Sequence, residues 1–175
     1  EIFTPLGMVD TGFECPPNKR DRLTSVHARQ SDGALVAITL DPPVNPEVHG
    51  GGYGLYSTAS DYMRFLRMLL NGGELEGARI LTPATVADMS RSHLDGSDRR
   101  GLGWDIDIRF SGPRGRWFSV GRSFGHTGWT GGSVWVDPGS KSFVIFLSNR
   151  VHPDGKGDVT PLRREIGTLA AEAIG

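Results

Sequence analysis

Tyr62, Leu66, Leu69 and Leu70 recur at i, i+4, i+7 and i+8, the spacing of one apolar helix face. Ser57-Thr58-Ala59-Ser60-Asp61 supplies cap candidates ahead of them and sets an acid early in the helix, where the dipole favours it. Asn71-Gly72-Gly73 ends the run. Thr82-Pro83 predicts a second helix, with Thr82 as cap, Pro83 at the first helical position, and Val86 and Met89 on its buried side. From Gly101 the period falls to two. Gly101–Phe110 alternates from Trp104 as a half-buried strand does, and Ser133–Val136 and Ser142–Leu147 read as further strands around the Asp137-Pro138-Gly139-Ser140 turn. Leu162, Ile166, Leu169 and Ala173 predict an amphipathic C-terminal helix with that stripe inward. Upstream, Pro5, Pro16, Pro17, Gly7 and Gly12 interrupt residues 1–23, and Ala34–Leu40 is a short strand or buried extended segment. Asp41–Gly54, with three Pro and four Gly, is a loop. The expected organisation is one α+β unit: 1–56 irregular with one short strand, 57–95 helical, 101–149 antiparallel strands, and 160–174 a C-terminal helix.

Composition narrows the function. The chain has 175 residues, enough for one core, and carries 19 basic and 20 acidic side chains, a net charge of −1. Such a balance offers no basic field to a nucleic acid, and no apolar run is long enough for a membrane span. Glu1–Met8 lacks a basic stretch leading into an apolar one, so no signal peptide is expected, and the absence of an initiator Met suggests a chain that begins inside a longer product. The single Cys15 permits no internal disulfide. The five His (27, 49, 93, 126 and 152) form no metal-binding pair, and no phosphate-binding glycine loop is present, so neither metal nor cofactor is expected.

Two stretches could carry chemistry. Gly121-Arg122-Ser123-Phe124-Gly125 matches the G-x-S-x-G serine elbow, whose force depends on a helix following the serine. Here a glycine-rich strand follows instead, and a chain with 25 Gly meets this pattern easily by chance. Phe124–Pro138 is the more unusual stretch, with Gly125, Gly128, Gly131 and Gly132 in or beside a strand. Glycine there marks close approach by a ligand or another backbone; equally, the strand could need glycine to pass a bulky neighbour such as Trp129.

His126-Thr127-Gly128 resembles the K/H-T-G strand of serine β-lactamase-like hydrolases: class C β-lactamases, penicillin-binding proteins and related esterases. Four further fragments agree in the family's order. Phe3–Thr11 resembles its F-x-P-L-G-M-x-D-T segment, Gly51–Asp61 its G-G-L-Y-S-T-A-x-D helix start, Gly101–Trp104 its G-L-G-W strand, and Leu147–Pro153 its L-x-N-[RK]-x-x-P strand end. The resemblance implies a partial β-lactamase-like (transpeptidase-like) α+β fold: an antiparallel sheet with flanking helices and a C-terminal helix.

The family's acylating parts are not in this stretch. No Ser has a Lys three positions on, and Tyr53, Tyr56 and Tyr62 are followed two positions later by Leu55, Thr58 and Arg64, so S-x-x-K and Y-x-N are both absent. In the family they precede the segment that here begins at Phe3. The resemblance therefore implies the substrate-recognition portion of a serine hydrolase, inactive alone. His126 would orient the substrate carboxylate or support proton transfer, Thr127 would hydrogen-bond the substrate, and Gly128 would leave room for its acyl group. The Trp129 backbone N–H would be one of two oxyanion donors. Asn149 and Arg150 would lie by the carboxylate. Val151 departs from the Asn of class C β-lactamases, which leans toward an esterase, peptidase or amidase. The implied partners are a small acyl, ester or peptidoglycan-like substrate, together with the missing N-terminal part or a second copy. The family also suggests a periplasmic or secreted setting. A non-catalytic module that keeps the fold is the alternative, and a hydrolase using Ser123 the lesser one.

Overall fold

The computed structural model describes residues 1–38, 50, 52–116 and 118–174. A tight turn over residues 2–8, closed by Met8 N donating to the Phe3 carbonyl at 2.9 Å, drives Leu6 and Met8 into the core. A 3-10 turn at Pro17–Arg22 leads to an antiparallel hairpin, β1 (Val26–Arg29) and β2 (Leu35–Ile38). So residues 1–56 hold two strands where one was expected. The Ala34–Leu40 run carries a strand, the first of its two expected readings, and all four residues of β2 are exposed. Thr39, Leu40 and most of the expected Asp41–Gly54 loop lie outside the described residues, as does Gly51 of the helix-start motif.

Helix α1 (Ala59–Leu70) starts as its sequence dictates: the Thr58 hydroxyl accepts from Asp61 N at 3.2 Å. Leu66, Met68 and Leu69 are buried, with Tyr62 and Leu70 packed at the margin of the core. The Asp61 carboxylate accepts from Asp10 N at 2.7 Å and from the Thr11 hydroxyl at 2.8 Å, tying the N-terminal segment to the helix. A two-strand ribbon, β3 (Glu74–Leu75) and β4 (Ala78–Arg79), interrupts the region expected to be helical. Helix α2 (Pro83–Ser90) follows, capped by Thr82, with Val86 buried.

The remaining strands form one antiparallel meander in the order β5 (Arg99–Arg100), β6 (Asp105–Asp107), β7 (Phe124–Thr127), β8 (Ser133–Asp137) and β9 (Ser142–Phe146). Ile106, Phe124, Val134, Val136, Phe143 and Ile145 pack with Leu66 and Leu69 of α1. Trp135, between Val134 and Val136, points to the opposite face by strand alternation and is buried there. The expected 101–110 alternation fails at Asp105, which is buried beside Trp104 and Ile106.

Helix α3 (Thr160–Ile174) has the expected bounds but turns the unexpected face inward. Its buried residues are Arg163, Gly167 and Thr168, while Leu162 and Leu169 are 51% and 53% exposed. Close backbone approach explains the choice. A Cβ on Gly167 would lie 2.1 Å from the Pro113 carbonyl oxygen, so only a small residue can face the 3-10 turn at Gly112–Arg114. Leucine is excluded from that contact by size, and the leucine stripe is left outside.

Candidate functional site

The end of β7 and the turn after it bring the predicted residues together. His126 is exposed at the strand end, Thr127 is half-buried, and Trp129 stands 76% exposed on the turn. Gly128 N donates to the Gly132 carbonyl at 2.7 Å, and Gly131 N to the Gly128 carbonyl at 3.1 Å, closing the loop between β7 and β8. Among the described residues, the Thr127 hydroxyl and the Trp129 N–H have no hydrogen-bond partner.

The four glycines divide by cause. A Cβ on Gly125 would fall 2.2 Å from both Trp135 Cε3 and the Val134 carbonyl, so packing against Trp135, not Trp129, demands glycine there. Gly131 has φ +123° and presses on Ser148 and Arg150. Gly128 and Gly132 meet nothing nearer than 3.5 Å, so crowding explains neither, and the strand end stays open above them.

His126 is held in one tautomer. Its Nδ1 lies 2.8 Å from the Thr127 carbonyl, which can only accept, so the proton is assigned to Nδ1. Nε2 is then an acceptor, 3.2 Å from Arg100 Nη2. The same Nη2 lies 2.6 Å from Asp105 Oδ1, which is itself 4.0 Å from His126 Nε2. Three strands thus contribute one polar cluster: Arg100 from β5, buried Asp105 from β6 and His126 from β7. Asp105 and Arg100 escaped the sequence reading; the break in alternation at Asp105 shows only once its burial is seen.

Arg150 contacts the turn after β7, whereas the Asn149 side chain bonds to the N-terminal segment. Asn149 Nδ2 donates to the Ser25 carbonyl at 3.2 Å. Arg150 Nε donates to the Trp129 carbonyl at 2.9 Å and Nη1 to the Gly157 carbonyl at 3.0 Å. Arg163, also missed from sequence, approaches the same turn from α3. Burial pushes its guanidinium below the usual arginine range, the charge of Arg150 adds to this, and Asp158 opposes it.

Ser123 stands apart from this cluster. It is wholly buried, its hydroxyl donates to the Ser119 carbonyl at 2.6 Å, and β7 rather than a helix follows it. A hydroxyl with no exposed surface and an internal acceptor cannot attack a bound acyl group, so the serine-elbow reading of G-R-S-F-G is corrected. No group of three potential metal ligands occurs among the described residues, and none of their helices is long and apolar enough to cross a membrane.

An antiparallel sheet with the H-T-G strand at its centre, flanked by helices and closed by a C-terminal helix, is a partial transpeptidase-like α+β arrangement. A family model described as Beta-lactamase matches residues 1–168, and the chain belongs to that family. A protein of Salmonella enteritidis named "Putative D-alanyl-D-alanine carboxypeptidase" is 29% identical over 194 residues, covering 99% of this chain and 44% of its own length. An uncharacterised protein of Mycobacterium tuberculosis is 28% identical over 163 residues, covering 83% of this chain and 41% of its own. Among solved structures, a penicillin-binding protein homologue from Caulobacter crescentus superposes with a TM-score of 0.68 at 22% identity, over all of this chain and 51% of that one. A mutant of simvastatin synthase from Aspergillus terreus gives 0.71 at 22% identity, over 99% and 48%. The chain therefore spans about half the length of the relatives it matches.

Proposed function

We propose that this chain is the substrate-recognition half of an acyl-enzyme serine hydrolase whose nucleophile, lysine and tyrosine lie on a complementary half. The observation that carries the reading is the open end of β7: a Thr127 hydroxyl and Trp129 N–H without a partner among the described residues, beside His126 and over two glycines, Gly128 and Gly132, that crowding does not require. A carbonyl laid along this edge would meet the Thr127 hydroxyl and the Trp129 N–H as donors. The Trp129 N–H would be one of two oxyanion donors, and losing such a donor typically costs about 10²–10³ in kcat. His126, protonated on Nδ1, gives its Nε2 lone pair to Arg100, and on release from Arg100 that nitrogen would hold a substrate hydroxyl or receive a proton during acyl transfer. The carboxypeptidase-named relatives favour an acyl-peptide or ester substrate, and Val151 fits that class better than a β-lactam.

The test is to label the protein that unites this chain with a half bearing S-x-x-K and Y-x-N, and the 175-residue chain alone, with a fluorophosphonate. Turnover of p-nitrophenyl esters, D-alanyl-D-alanine peptides and nitrocefin is read alongside. The expected result is a stoichiometric adduct on the S-x-x-K serine, ester or peptide turnover above nitrocefin turnover, and an unlabelled isolated chain. An adduct on Ser123 would overturn the proposal. An inert united protein would make the chain a non-catalytic module.

A further inference from the structure

The loop between β7 and β8 is held from behind by two arginines. Arg163 Nε donates to the Gly131 carbonyl at 2.9 Å, and its Nη2 donates to the carbonyls of Gly128 at 3.0 Å and Gly132 at 2.8 Å. Arg150 takes the Trp129 carbonyl. Four of the five carbonyls from residue 128 to residue 132 therefore point onto guanidinium groups. Arg163 is buried, and no carboxylate among the described residues lies within ion-pair distance of it. Among the described residues, the hydrogen-bond partners of its guanidinium are the carbonyls of this loop. Burying a cation without a counter-ion is costly, and several good acceptors must compensate.

Peptide geometry gives that arrangement a consequence. In a trans peptide the carbonyl of one residue and the N–H of the next point in opposite directions. Drawing the Gly128 carbonyl inward to Arg163 therefore turns the Trp129 N–H outward, toward the open strand end. A cation on the carbonyl also polarises that peptide and strengthens its N–H as a donor. We infer that Arg163 is a positioning residue for acyl transfer: it reaches no substrate, and it fixes and polarises the peptide whose Trp129 N–H meets the developing oxyanion. This rests on the reading of Trp129 given above.

The test uses the united, active protein with Arg163→Lys, which keeps the charge but cannot span three carbonyls, and Arg164→Lys on the exposed side of α3 as control. Fluorophosphonate titration counts folded sites, so every rate is taken per titrated site. Hydrogen exchange over residues 126–135 reports the loop directly. For Arg163→Lys we expect faster exchange of the loop and a fall of about 10–10² in kcat with KM nearly constant. A boronic acid, whose tetrahedral adduct places an oxygen in the oxyanion position, should lose affinity by a matching factor. Arg164→Lys should change none of these. Unchanged exchange and unchanged kinetics would overturn the clamp while leaving the site reading intact. Faster exchange with unchanged kcat would instead overturn Trp129 as the donor, and the positioning role with it. Where Arg163→Lys lowers the yield of folded protein, Arg163→Gln with added guanidinium serves as the second variant. Recovery of kcat would support the role, and none would count against it.

Discussion

At Gly125 and Gly128 one residue type serves two purposes, and substitution separates them. Gly125→Ala drives a methyl into Trp135 and the Val134 carbonyl, an overpacking that costs about 1–3 kcal/mol. Its melting temperature should fall by about 2–4 °C per kcal/mol in a chain of this size. Gly128→Ala meets nothing nearer than the Gly132 carbonyl oxygen at 3.5 Å, so it should melt within a degree or two of the parent. It should nonetheless slow fluorophosphonate labelling of the united protein, because the added methyl stands where the acyl group is proposed to lie. Equal labelling rates for Gly128→Ala and the parent would show that nothing approaches the strand there. The H-T-G triplet was legible because its three residues are consecutive and one strand end exposes them together. Arg100, Asp105 and Arg163 were not, since Asp105 meets Arg100 only through the β5–β6 register and Arg163 binds carbonyls, which leave no mark on residue identity.

Among the elements, α1 and α2 could be read because local chemistry fixes them: Thr58 and Thr82 cap, Pro83 opens, and Asn71-Gly72-Gly73 stops. Thr58→Ala should cost about 1 kcal/mol, measured by denaturant unfolding, with no change in the helical signature of the folded state. The inward face of α3 could not be read, because it is set by backbone contact with the Gly112–Arg114 turn rather than by the leucine period. The N-terminal segment is also braced within itself by charge, since the Asp10 carboxylate pairs with Lys19 at 2.7 Å and with Arg22 at 2.8 Å. Hydrogen bonds from Arg22 and then Lys19 keep the Asp10 carboxyl well below the usual carboxylate range. The folded state thus binds this proton more weakly than the unfolded chain, whose carboxyl titrates near about 4. The contribution is complete above that pH and is lost as the pH falls toward the lower folded value. Asp10→Asn should therefore melt below the parent by a constant gap from neutral pH to about pH 5. The gap should close on further acidification, and one that persists undiminished near pH 2 would count against the linkage.

Across the whole molecule, what faces solvent decides how the chain behaves by itself. Strand β9 pairs with β8 on one side and, among the described residues, with no strand on the other, so Ser142–Phe146 ends the sheet with unpaired backbone groups. Helix α3 packs beside that edge with Leu162 and Leu169 outward, and Leu147 just past β9 is also exposed. A strand edge flanked by an apolar stripe is a template for another chain, and in the β9 neighbourhood only Lys141 resembles the charged guards that usually blunt such edges. The complementary half proposed above is the natural cover for both features. The isolated chain should self-associate as its concentration rises, and the pair Leu162→Glu and Leu169→Glu should shift it toward monomer in light scattering after size exclusion. Addition of the complementary half should yield a one-to-one complex at the expense of the self-associated species. The same two substitutions should weaken that complex, because one surface serves both partners. A parent chain that elutes as a clean monomer at high concentration, and still binds its complement with Leu162 and Leu169 replaced, would place the joining surface elsewhere on the fold.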